Sequence, residues 1–154
     1  MTTFDSALQP ADPALHQSYT LPDDAYLAAA GSRADHLWWE IGDEELARLM
    51  CLFIAATVRD FLTHFEHDLP FDAVELELAY GDRGEVATAT GAYWTAAGEQ
   101  REFTRQEASD INDWAHKLRG DNRGGWEPLC RLVSRRPTRY RLDLVRAAAP
   151  IPGI

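Results

Sequence analysis

Three groups of side chains in this sequence could do chemistry. The densest is Thr63-His64-Phe65-Glu66-His67-Asp68. His64 and His67 stand three residues apart with the carboxylates of Glu66 and Asp68 close by, so a divalent metal could draw on imidazole and oxygen donors. A charged histidine near a helix C-terminus is also favoured without any metal. His-x-x-His with no distant third ligand does not define a metal site. A small metal-dependent enzyme built on His64, Glu66 and His67 therefore stands as an alternative only, as does a general protein-binding adaptor. The second group is Glu75 and Glu77, roughly 7 Å apart on one strand face. Such a pair can run acid–base chemistry. With no nucleophile or pocket-forming loop beside it, it fits the wet face of a strand, within reach of Arg131, Arg139 or Arg141 across a sheet. The third group is Trp38 and Trp39, fringed by Glu40, Asp43, Glu44 and Glu45. That composition suits a protein-docking surface, and equally a hydrophobic staple at a helix entry.

Other motifs carry less. Ser32, Ser109 and Ser134 have no Gly-x-Ser-x-Gly setting. Gly120-Asp121-Asn122-Arg123-Gly124-Gly125 lacks the Gly-Lys-Ser/Thr of a phosphate loop. Arg135-Arg136 with Arg139 and Arg141 could touch phosphate, but a short basic hairpin more often forms a solvated turn. No catalytic residue, metal or cofactor is expected.

Charge is sorted along the chain. Residues 1–85 carry 17 acidic and 4 basic side chains, and residues 86–154 carry 8 and 11, within a net charge of −10. An acidic first half attracts cationic partners and repels nucleic acid. The sequence pI of about 4.8 argues against DNA, RNA and anionic membrane surfaces. The 154 residues are 45% apolar and 26% charged, which fits one globular domain with its own core. Cys51 and Cys130 each lie in an apolar run, as buried reduced thiols do. Met1–Gln9 lacks a basic and then apolar signal pattern. Leu49–Val58 is about half a membrane span. A soluble cytoplasmic protein is the expectation.

The elements that must position these residues follow from periodicity. Pro10, Pro13 and Pro22 break residues 1–35 into an irregular arm packed on the domain, with a short helical turn at 25–30 behind Asp23 and Asp24. A long helix starts after Gly42 or Asp43, with Glu44 and Glu45 in its first turn. It runs through Leu46, Leu49, Met50, Phe53, Ile54, Val58 and Phe61, and stops before Pro70. Its middle is apolar all round, so it is buried on more than one side. Val74–Tyr80 and Val86–Trp94 alternate about the turn Gly81–Gly84 and form a hairpin, and 101–103 suggests a short further strand. Thr104 and Glu107 form a capping box for a second helix through Ile111, Trp114 and Leu118, which Gly120 ends. Asn122–Gly125 reads as a flexible loop. Trp126–Val133 and Arg139–Arg146 make a second hairpin, with Pro128 near the strand start, and 150–154 reads as a loose tail. The fold class is α+β: an antiparallel sheet of about four strands in two hairpins, with two main helices on one face. The domain spans 36–149, and its sheet edges could pair with a second copy.

From Leu46 onward this layout resembles the YezG-like immunity proteins of bacterial toxin systems. The likeness rests on the long helix, the strand pair, and the helix at Thr104–Leu118. It continues through Gly125-Trp126-Glu127-Pro128-Leu129 and the closing Tyr140-Arg141-Leu142-Asp143-Leu144, and it covers about 100 of the 154 residues. Val145-Arg146-Ala147 stands where that family carries an aromatic-acidic ending. The resemblance implies an acidic, non-enzymatic protein that binds a cognate toxin and covers its cationic cleft. The expected docking surface is Asp23, Asp24, Glu40, Asp43, Glu44 and Glu45, with Trp38 and Trp39 as anchors.

Overall fold

The alternation of Leu76, Leu78 and Tyr80 against Glu75 and Glu77 places one face of the first strand in an apolar core and the other in water. In the computed structural model, which describes residues 16–154, that strand is β1 (Ala73–Gly81). It lies at the centre of an antiparallel sheet with β2 (Gly84–Thr95), β3 (Gln100–Glu102), β4 (Cys130–Arg135) and β5 (Thr138–Asp143). The order is β3-β2-β1-β5-β4, five strands rather than about four, because Gln100–Glu102 closes onto Ala92–Trp94. The α+β architecture stands. Leu76, Leu78, Tyr80, Tyr93 and Leu142 join the core beneath the helices. On the other face Arg131 and Arg141 hold Glu75 at 3.3 and 3.5 Å, and Thr90 donates to Glu77 at 2.8 Å. The Arg141 guanidinium lies 3.6 Å from the Trp94 ring centroid. The paired glutamates are thus wet-face ladder partners.

Four helices cover the core face. Asp23 caps α1 (Asp24–Leu37) by accepting from the Tyr26 amide at 2.9 Å. The sequence suggested only a turn at 25–30 within an irregular arm. The cap, the alanine run and the buried stripe Ala30-Ala34-Leu37 instead carry the helix for 14 residues. What the sequence suggests for residues 1–15 lies outside the described residues. Asp43 caps α2 (Glu44–Leu62), whose middle from Leu49 to Ala55 is buried almost without interruption. Each fully buried leucine there contributes about 1.5–3 kcal/mol. The helix ends well before Pro70, at Thr63, whose hydroxyl returns to the Arg59 carbonyl at 2.8 Å. Thr104 and Glu107 close the expected capping box on α3 (Arg105–Ala115).

The C-terminal third departs most from the sequence pattern. Asn122–Gly125, expected as a loop, lies in a 3-10 turn, and Pro128 is not in a strand. Two 3-10 turns, Gly120–Gly125 and Glu127–Leu129, precede β4. Their anchor is Trp126, fully buried, with its indole N–H on the Arg119 carbonyl at 3.0 Å and Tyr80 and Tyr140 against its ring. The last strand stops at Asp143, which caps a short α4 (Leu144–Ala147). The tail is docked rather than loose. Ile151 is buried, and the Tyr26 hydroxyl donates to its carbonyl at 2.9 Å. Tyr19, Ala30 and Ile151 belong to the same core as the sheet. The sheet ends at the three-residue β3 and at β4, which exposes Leu132 and Val133.

Candidate functional site

The link between α1 and α2 is a tight corner. Two successive turns form it, with the Glu40 amide on the Leu37 carbonyl and the Asp43 amide on the Glu40 carbonyl, both at 2.8 Å. This geometry holds Trp38 half-buried and pushes Trp39 into solvent at 82% exposure, with Ile41 beside it at 42%. An exposed indole next to an exposed isoleucine is the apolar centre that a docking surface needs. Lys117 arrives from the end of α3 and sets its ammonium 4.2 Å from the Trp38 ring centroid and 5.9 Å from that of Trp39. The corner already attracts one cation through its ring faces.

Asn122 fixes this arrangement. It is fully buried, accepts from the Arg119 amide at 2.8 Å, and donates to the carbonyls of Ile41 and Lys117, both at 2.9 Å. One side chain therefore joins the corner, the end of α3 and the first 3-10 turn. Asp121 lies against Gly42, and the Glu44 carboxylate lies against Gly124, where any Cβ would collide with it. Glu40, Glu44 and Asp121 are exposed around the apolar centre.

The structure does not gather all the expected carboxylates. Asp23 and Asp24 sit at the far end of α1, roughly 20 Å away along a helix of this length. Asp23 is also engaged as a cap. Asp43 has its carboxylate on the amides of Glu45 and Leu46 at 2.8 and 3.2 Å. Glu45 is held by Arg33 in a two-pronged pair at 2.8 and 2.9 Å. The hydrogen bond from Arg33 keeps its carboxyl below the usual carboxylate range. The surface that remains is Trp38, Trp39, Glu40 and Glu44, joined by Ile41, Lys117 and Asp121, which sequence reasoning missed. Only the aromatic-acidic composition of residues 38–45 gave a local signal. Lys117 and Asp121 lie more than 70 residues away, and Asn122 stands in a glycine-rich stretch that looks flexible.

No family model, no curated protein and no solved structure matches the chain.

The histidine cluster forms no ligand set. The His67 imidazole lies 2.7 Å from the Asp60 carboxylate and 3.3 Å from Arg59, and His64 is exposed in a left-handed conformation at φ 53°. No group of three histidine, cysteine or acidic side chains able to hold a metal occurs among the described residues. Both cysteines are free thiols. Burial pushes the Cys51 thiol up to about 12 and raises that of Cys130 as well, so neither is poised as a nucleophile. No helix among the described residues is long and apolar enough to cross a membrane.

Proposed function

We propose that this is a cytoplasmic, non-enzymatic binding protein that docks a cationic protein partner at the α1–α2 corner. The observation that carries this is the exposed Trp39 with Ile41, ringed by Glu40, Glu44 and Asp121, on a chain of net charge −10. An aromatic anchor supplies affinity, and the surrounding carboxylates speed encounter with a basic surface. The partner class we favour is a toxin domain with a basic cleft. Two things support that choice: the order of elements resembling YezG-like immunity proteins, and the fit of an acidic cover to a cleft that handles anionic substrates. Lys117 marks where a partner's arginine or lysine would lie, over the same indoles.

The test is co-expression with the product of the neighbouring reading frame, followed by measurement of the purified pair. The expected result is restored growth and a 1:1 complex whose association rate falls steeply with salt. Trp39→Ala should weaken the complex at least tenfold, and Glu40→Lys with Glu44→Lys should slow its formation at low salt. A protein that gives no protection and no complex, or a complex indifferent to these variants, refutes the reading.

A further inference from the structure

A second feature lies on the other side of α3. Both ends of the Asn112 side-chain amide pin α3 to β2 through the Ala89 backbone, accepting from its amide at 2.7 Å and donating to its carbonyl at 3.2 Å. The small side chains of Ala89 and Ala108 leave an open cleft of about 380 Å³ between the helix and the strand. Arg83 reaches it from the β1–β2 turn and Arg105 from the first turn of α3, with Ser109, Asp113 and His116 also on its wall.

Seven of the 14 arginines hold a carboxylate among the described residues, from Arg33 on Glu45 to Arg141 on Glu75. Arg83 and Arg105 hold none among the described residues, although the chain has 25 acidic side chains against 15 basic ones. Two free guanidinia facing one cleft repel each other, and an anion between them removes that repulsion. Their planar forks match phosphoryl oxygens two at a time. A carboxylate has only two oxygens and would satisfy one fork, whereas a phosphate monoester has three terminal oxygens and most of a second charge. Ser109 and His116 supply additional hydrogen bonds.

We propose that this cleft binds a phosphate monoester. Arg83 and Arg105 hold the phosphoryl group, and Ser109 donates to it. Asp113 accepts from a hydroxyl or amide on the body of the ester and repels a second phosphate. The volume is near the lower end for small-ligand pockets and suits a three-carbon ester or a phosphoserine side chain. The site is independent of partner docking through Trp39.

Calorimetry on the intact protein at low salt tests this with glycerol 3-phosphate and N-acetyl-O-phosphoserine amide, using the unphosphorylated compounds as controls. Saturable 1:1 binding of a phosphorylated probe alone is the expected result. Tighter binding of the glycerol ester points to a free metabolite, and tighter binding of the phosphoserine probe to a modified protein segment; either supports the site. Arg83→Ala and Arg105→Ala should each weaken binding about tenfold. Both arginines are exposed, so thermal unfolding of the variants should match the parent. Trp39→Ala should leave binding unchanged. No saturable binding, equal binding of the controls, or affinity that survives the double arginine variant overturns the proposal.

Discussion

Replacing Asn122 with alanine should loosen the candidate docking corner and destabilise the whole protein. The side chain makes three hydrogen bonds of 2.8–2.9 Å, to the Arg119 amide and to the carbonyls of Ile41 and Lys117. A typical bond contributes about 1 kcal/mol net, and a buried partner left unsatisfied costs about 1–3 kcal/mol. Some of the three freed groups will recover water at the loop surface. The expected loss is therefore about 3 kcal/mol, or a fall of about 6–12 °C in Tm for a chain of this size. Urea unfolding followed by circular dichroism measures it. Asn122→Asp sharpens the test. It keeps the acceptor for the Arg119 amide but loses both donations and sets a carboxylate against two carbonyls, so it should be at least as destabilising as alanine. Hydrogen exchange should accelerate at residues 40–46 and 117–124 in both variants while the β1–β2 ladder stays protected. A loss below about 1 kcal/mol for Asn122→Ala, or unchanged exchange at the corner, would refute the role given to this residue.

Four further outcomes follow from the packing. Gly125→Ala should cost about 3 kcal/mol, since the new Cβ meets the Ala47 Cβ at 2.8 Å and the Glu44 backbone carbon at 2.9 Å and neither can yield. Gly31→Ala, in mid-helix with nothing within 4 Å, should instead stabilise by about 0.5–1 kcal/mol. Asp43→Ala removes the α2 cap and should cost about 1 kcal/mol in the same urea titration. For Cys51, burial raises the thiol from 9.0 to about 12, so the folded state favours the neutral form. Its contribution is complete below pH 9 and is lost as pH rises from 9 towards 12, because the unfolded chain ionises first. The slope reaches about 1.4 kcal/mol per pH unit, and Cys51→Ala should flatten that part of the profile.

The elements whose signals are local were legible in the sequence. The 3.6-residue stripe from Leu46 to Phe61 gave α2, alternation gave β1 and β2, and the Thr104–Glu107 box gave the start of α3, because each depends on neighbours within a few residues. The aromatic-acidic composition of residues 38–45 pointed to the corner for the same reason. Packing between distant segments decided the rest. Trp126 drew residues 120–129 into turns that the strand pattern did not show, and Tyr26 fastened the tail through Ile151. Which charges stay free was also a tertiary outcome: Arg33 neutralises Glu45, Lys117 reaches Trp38 from the end of α3, and Arg83 and Arg105 line one cleft with no ion-pair partner among the described residues. Residue types and local periods are written in the chain. The partner each charge finds depends on the docking of whole elements, whose energy comes from burying surfaces far apart in sequence.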